Sequence, residues 1–315
     1  MLGIFDKEHI YISSQSKYKK LILEQLPEIS EDRLILEPYG KNTGPTIAFV
    51  AHTLLDKDPD AIMVITPCDQ EISDLELFAQ TIRKGLDYAS SNNALLTLGL
   101  VPTSPNTNFG YVQVKGSYTQ GEPIKAKTFT EKPSSELAKV FVESGEFLWN
   151  SGIFIWKAKA ILEEMNKCCP EITRLWKSWQ KELGTVCANR LVEHVYTDSP
   201  NISIDYAVLE KSNNLYVLPS NFGWSDVGNW NAFYENYPDK DEKGNMSLVF
   251  GKSILEDNTN SIIYGANPKK LLVVRGLDNY MVVDTEDALL ICPREDQLLK
   301  DTLSSLKSPG YEEYK

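Results

Sequence analysis

Much that would point to other functions is scarce or missing in this chain of 315 residues. There are three histidines, His9, His52 and His194, and no two stand at metal-ligand spacing, which argues against a histidine-based metal centre. The five cysteines, Cys68, Cys168, Cys169, Cys187 and Cys292, are odd in number, irregularly spaced and without a Cys-x-x-Cys pair. That pattern suits reduced thiols in a cytoplasmic protein and not a disulfide scaffold or zinc site; Cys68 reads as a packing residue. Basic residues are few: 32 Lys and Arg against 44 Asp and Glu give a net charge of −12. Nucleic acid, which needs a basic surface, is therefore not a partner, nor is an anionic membrane. An anionic substrate must meet a local positive patch against the overall field. Long apolar runs are absent, and the N-terminal "MLGIFDKEHIYISS" has neither a basic head nor an apolar core, so neither a membrane span nor a signal peptide is expected. No Gly-Gly pair occurs anywhere.

What is present is an ordinary globular composition, 42% hydrophobic and 24% charged. The length suits one large α/β domain with a smaller appendage. Strand-like runs at His9–Ser13, Arg33–Glu37, Ala61–Thr66 and Ala94–Leu100 alternate with helical periodicity at Lys17–Leu26, Thr43–Leu55 and Leu75–Ala89. The alternation predicts an α/β, Rossmann-like doubly wound sheet, and the continuous apolar run of Ala61–Thr66 predicts a strand buried on both faces, as in a parallel sheet. "GYVQVKGS" and "IKAKTFTEKP" read as paired strands, Ser134–Glu143 as a helix capped by Ser134 or Ser135, and "LWNSGIFIWKA" as a strand with aromatic flanks. Beyond Gly223 short β-branched runs are cut by Asp, Asn and Gly turns, which predicts a small all-β tail whose strands could be turns of a β-helix. The expected boundary separates an α/β domain, residues 1–240, from the tail, residues 241–315.

Five stretches carry candidate chemistry. In "ITPCDQEI", Asp69 follows a buried strand, where open α/β sheets bind ligands, and either holds Mg²⁺ on a phosphate or caps the next helix. In "NFGWSDVGNW", Asp226 lies in a turn where Gly223 and Gly228 let backbone approach closely. Two carboxylates at separate strand ends suit a Mg²⁺ that also keeps water and phosphate oxygens, while an Asx turn between core tryptophans is the plainer alternative. In "FTEKP", Glu131 can accept from sugar hydroxyls and Lys132 can meet a phosphate, or both are a solvated strand end. In "WNSGIFIW", Asn150 and Ser151 sit among aromatics, a mixture suited to a sugar ring, or Asn150 only caps a turn. In "EPYGKNTGPTIA", Asn42 and Thr43 precede a helix with Pro45 in its first turn, and could read a nucleobase edge or do no more than cap.

The order and wording of "LEPYGKNTGPTIA", "ITPCDQEI", "PTSPNTNFGYV", "FTEKPSSELAKVFVESGEFLWNSGIFIW", "SIDYAVLEK", "GWSDVGNW" and "VVDTEDALLI" closely resemble bacterial mannose-1-phosphate guanylyltransferases, from about Phe5 to about Lys300. The resemblance implies a glycosyltransferase-A-like nucleotidyltransferase sheet and the reaction of GTP with mannose 1-phosphate to give GDP-mannose and pyrophosphate. It implies Mg²⁺ as cofactor, Asp69 and Asp226 as its holders, and Lys132 as a catalytic contact to phosphate. It further implies that Glu131, Asn150 and Gly110 lie against the sugar and Asn42 and Thr43 against the guanine, with Asp205 and Glu210 supporting the sugar pocket. Such catalysis is positioning and electrostatics, without a covalent intermediate.

The chain also departs from that pattern. The family opens with a strand, a G-G-x-G-T-R loop that cradles phosphates, and P-K-Q, and Met1 falls where the family has already passed them. That predicts an N-terminally truncated sheet, with no strand between those near Ile10–Ser13 and Ala61–Thr66, a cost in unpaired backbone that leaves the chain to close the sheet another way, to dimerise, or to be only marginally stable. Lys41 stands for a usual Arg, Gly44 for Ala, Gln70 for His, and Asn108 for a Gly. Beside the enzyme, a non-catalytic sugar-nucleotide-binding homologue and an enzyme for another sugar or base stay open, as does a homodimer through the β tail.

Overall fold

The computed structural model describes residue 1, residues 3–182 and 188–294, and beyond these residues 299, 302 and 310. Cys187 and the last residues of the expected tail lie outside the described part. By contact the chain forms two compact units: Met1–Cys68 with Ile72–Trp224, and Asp69–Glu71 with Ser225–Lys315. The division by contact thus falls at Trp224 and gathers the Asp69 segment into the second unit.

The first unit runs β1 (Ile12–Gln15), α1 (Lys19–Gln25), β2 (Leu34–Glu37), α2 (Thr43–Leu55) and β3 (Ile62–Ile65). After β4 (Gln70–Ile72) come α3 (Leu75–Ser91), β5 (Leu95–Leu100), β6 (Tyr111–Val114), β7 (Ile124–Thr130), α4 (Ser135–Ser144) and β8 (Phe147–Lys157). Helices α5 (Ala158–Cys168), α6 (Pro170–Leu175), α7 (Trp179–Glu182) and α8 (Ala188–Asp198) follow, then a single π-helical turn (Asp205–Leu209) and β9 (Leu215–Ser220); most of β4 and of β10 (Trp224–Asp226) falls in the second unit. The expected helices form because their starts are capped: Asn42 accepts from the Thr43 amide, Asp74 from Leu77, and Ser134 from Leu137.

Six strands make the main sheet in the order β3-β8-β5-β9-β7-β6. It is mixed and not parallel: β8 lies antiparallel between β3 and β5, while β5 and β9 are parallel. Strand β8 also pairs antiparallel with β6 through Tyr111–Trp149, so one strand serves three ladders. Side chains alternate between two cores, as a pleat requires. Leu95, Phe154 and Trp156 join α2 and α5 on one face; Leu96, Leu98, Ile153 and Ile155 join α3 on the other. All six residues of β5 are buried. The apolar run at 61–66 behaves differently from the expectation of two-sided burial: β3 is an edge strand, and only Met63 of its four residues is buried. Strands β1 and β2 form a separate parallel pair, so the strands at Ile12 and Ile62 belong to different sheets.

The second unit holds α9 (Trp230–Asn236), β11 (Met246–Val249), β12 (Lys252–Glu256), β13 (Ile262–Gly265), β14 (Leu271–Arg275), β15 (Tyr280–Asp284) and β16 (Leu289–Pro293). The chain alternates between two parallel ladders, β11-β13-β15 and β12-β14, as successive coils of a β-helix do, and β16 closes the first ladder antiparallel. Buried asparagines tie the coils together. Asn245 Nδ2 donates to the Asn258 carbonyl at 2.7 Å, and Asn258 Nδ2 to the Val274 carbonyl at 3.0 Å. Asn258 Oδ1 accepts the Leu277 amide at 3.1 Å. On the outer face of β12 and β14, Ile254, Leu271 and Val273 stay exposed. Cys68 is exposed and so is not the packing residue expected; Cys168 is half-buried and Cys169 buried, and these three are free thiols.

Asn258→Ala strands a buried carbonyl and a part-buried amide. It is expected to cost about 1–3 kcal/mol per orphaned group, seen as a lower denaturant midpoint with an unchanged slope. An unchanged midpoint removes the asparagine ladder from the account of the coil.

Candidate functional site

Two carboxylates distant in sequence meet in the second unit. Strands β4 and β10 pair as a short ladder, and the Val227 amide donates to the Asp69 carbonyl at 3.0 Å. Asp226 Oδ1 accepts the Gly228 amide at 3.1 Å. A Cβ placed on Gly228 would stand 3.1 Å from Asp226 Oδ1 and 3.4 Å from Asp69 Oδ2, so both carboxylate oxygens lie against Gly228, where a side chain would fit only tightly. Gly223, at φ 64°, holds the approach to this turn: a Cβ there would overlap the Ser73 side chain, and its carbonyl accepts the Ser73 amide at 2.9 Å. The sequence marks both glycines for close approach, and the geometry gives each a neighbour. Among the described residues no group of three or more His, Cys, Asp or Glu could hold a metal. Two carboxylates instead suit a cation that completes its shell with water and phosphate oxygens.

A second cluster forms in the first unit, where β6, β7 and β8 meet. Glu131 and Lys132 follow β7. Lys132 adopts φ 48°, a left-handed conformation that costs a non-glycine residue roughly 1–2 kcal/mol. Its amide donates to the Phe109 carbonyl at 3.3 Å, and its ammonium lies 3.2 Å from Glu131 Oε1. Glu131 Oε2 is buried and has no hydrogen-bond partner among the described residues. A Cβ on Gly110 would stand 2.4 Å from that oxygen, so glycine at 110 is what admits it. Asn150, buried in β8, donates its amide N–H to the Gly110 carbonyl at 2.8 Å. Its side-chain oxygen accepts the Thr97 hydroxyl at 2.7 Å and the Gly152 amide at 3.3 Å, and its Nδ2 donates to Asp205 Oδ1 at 3.2 Å. The structure therefore gathers Gly110, Glu131, Lys132 and Asn150 into one cluster, with Thr97 a member that no sequence motif announced.

Asn42 and Thr43 are otherwise engaged. Asn42 Oδ1 caps α2, and Thr43 Oγ1 accepts the Ile204 amide at 2.9 Å. The Gly44 amide donates to the Ile202 carbonyl at 3.0 Å, and a Cβ at Gly44 would lie 2.7 Å from that oxygen. The loop thus docks on residues 202–204.

Electrostatics single out Glu131. Burial foremost, then the nearby Asp205 charge, pushes its pKa up to about 7, against the opposing pull of Lys132. Burial likewise raises Asp205.

A family model described as nucleotidyl transferase matches residues 6–243. The chain belongs to this family. This nucleotidyl transferase is 33% identical over 305 residues to a mannose-1-phosphate guanylyltransferase of Klebsiella pneumoniae, covering 95% of this chain and 64% of that protein. It is 33% identical over 301 residues to the alginate biosynthesis protein AlgA of Pseudomonas fluorescens, covering 94% and 61%. The chain thus spans less than two thirds of the length of either relative. A crystal structure described as mannose-1-phosphate geranyltransferase of Thermus thermophilus shares the fold, with TM-score 0.81 at 24% identity over 97% of this chain and 86% of that one. Nucleotidyl transferases generally use a divalent metal ion. No helix among the described residues is long and apolar enough to cross a membrane.

The raised Glu131 pKa has a thermodynamic consequence of known sign. The folded state holds this proton up to about pH 7, the unfolded chain only to about 4.5. Its contribution is fully present below pH 4.5 and is lost as pH rises toward 7. The stability difference between wild type and Glu131→Gln should therefore move against wild type from pH 4.5 to 7 and stay flat above, as read by chemical denaturation at each pH. A difference that does not change with pH contradicts the burial of this carboxyl.

Proposed function

We propose that the protein transfers a guanylyl group from GTP to mannose 1-phosphate, releasing GDP-mannose and pyrophosphate. The observation that carries the reading is the convergence of Asp69 and Asp226 on Gly228 in a chain of the nucleotidyl transferase family. The choice of guanine and mannose draws its support from relatives named for that activity along almost all of this chain. A non-catalytic homologue would have no use for two acids brought together from strands so far apart in sequence.

In this reading a phosphate oxygen of mannose 1-phosphate forms a bond to the α-phosphorus of GTP. The bond from that phosphorus to the bridging oxygen of the β-phosphate breaks in line, and its electron pair leaves on pyrophosphate. Asp69 and Asp226 would hold Mg²⁺, which when bound would neutralise charge on the phosphoryl oxygens. Glu131 Oε2 takes a sugar hydroxyl as the hydrogen-bond donor it lacks. Asn150, whose oxygen is already engaged by Thr97 and Gly152, turns its NH₂ side to the sugar. Gly110 leaves room for both groups. Lys132, more than half exposed, brings the cluster's positive charge to the sugar phosphate. Asn42 and Thr43 contribute to the guanine side through the loop they hold in place. The free thiols fit a reducing cytoplasm.

Asp226→Asn and Asp69→Asn are each expected to lower GDP-mannose formation by at least about a hundredfold while leaving the melting temperature unchanged. The assay mixes chain, GTP, mannose 1-phosphate and Mg²⁺ and follows nucleotide sugar by chromatography and pyrophosphate release in parallel. Full activity in Asp226→Asn takes that residue out of the site. Mannose 1-phosphate binding without pyrophosphate release overturns the transfer and leaves a sugar-phosphate binder.

A further inference from the structure

We infer that the π-helical turn Asp205–Leu209 is the positioning element of the sugar pocket, with its end carboxylates Asp205 and Glu210 holding Asn150 and Glu131 in their working geometry. The inference rests on the function proposed above and deepens its sugar-binding half. It starts from an unusual element: a single π turn is rare and frequently stands at a functional site. Here the turn is anchored along its length. Ala207, Val208 and Leu209 are fully buried in the core, and the Ile204 amide just before the turn donates to Thr43 Oγ1 at 2.9 Å.

From this fixed base two carboxylates reach opposite walls of the same cluster. Asp205 Oδ1 accepts from Asn150 Nδ2 at 3.2 Å, on β8. Glu210, the residue that ends the turn, accepts the Glu131 amide at 2.9 Å, after β7. That second bond holds the Thr130–Glu131 peptide, one before the peptide that leads into Lys132, whose left-handed backbone stores strain. Without the Glu210 carboxylate, the Thr130–Glu131 peptide can turn, and Glu131 Oε2 swings away from the space Gly110 leaves for it. Neither Asp205 nor Glu210 need touch the substrate; each acts through the residue it holds.

Glu210 is exposed, so its replacement does not disturb a core. Glu210→Ala should weaken mannose 1-phosphate binding about tenfold by calorimetry, the loss of one hydrogen bond to a charged acceptor. GTP affinity should stay within about twofold of wild type in the same variant. Glu210→Gln, which keeps an acceptor oxygen, should restore sugar-phosphate affinity. In the ligand-free chain, hydrogen exchange at the Glu131 amide should quicken in Glu210→Ala and return to the wild-type rate in Glu210→Gln. Faster exchange with unchanged affinity, or unchanged exchange, in a chain whose wild type binds mannose 1-phosphate overturns the positioning role alone. A wild-type chain that binds no mannose 1-phosphate overturns the functional reading beneath it, and this role with it.

Discussion

The first unit depends on one constraint, the burial of β8 between partners on both edges. Nine of its eleven residues are buried, and it hydrogen-bonds to β3, β5 and β6. A strand so placed cannot slip without moving its apolar side chains from one core to the other. That rigidity is what lets a polar residue, Asn150, stand inside the sheet with its oxygen spent on Thr97 and Gly152. The same strand pairs Trp149 with Tyr111, which sets Gly110 beside Asn150 and so defines the space into which Glu131 points.

The chemistry divides along the two units. One carries an acid pair held close by a glycine; the other carries a carboxyl oxygen buried without a partner. Buried polar atoms in native proteins nearly always find one, and an exception asks for an explanation. The cluster around Glu131 has three acids, Glu131, Asp205 and Glu210, and a single ammonium, Lys132, that is more than half exposed. Asp205 and Glu210 each accept a hydrogen bond from a neighbouring site residue, which leaves Glu131 as the acid with capacity to spare. Its elevated pKa follows from burial and then from that crowding, and a ligand hydroxyl that donates to it opposes both by stabilising the charged form.

Local signals in the sequence carry far. Helices α2, α3 and α4 stand where apolar periodicity and capping residues put them, because those cues act within a few residues. Gly223, Gly228, Asp69 and Asp226 stand out for the same reason: a glycine beside an acid reports a close approach even before the neighbour is known. Pairing is less legible. Nothing in "AIMVIT" distinguishes an edge strand from a central one, and nothing in "WNSGIFIW" announces that it runs antiparallel between two strands of the opposite direction. Thr97 is invisible in the sequence because its role depends on a partner 53 positions away. The π turn is hidden inside "SIDYAVLEK", whose hydrophobic spacing fits an ordinary helix equally well.

The account stands or falls on where the sugar phosphate lies. A crystal structure of the chain with mannose 1-phosphate and Mn²⁺, with anomalous data, tests this most directly. The account predicts a sugar hydroxyl within about 3 Å of Glu131 Oε2 and an anomalous peak at the Asp69 and Asp226 carboxylates. Sugar density away from Gly110, Glu131 and Asn150, or manganese bound without Asp69 and Asp226, contradicts it.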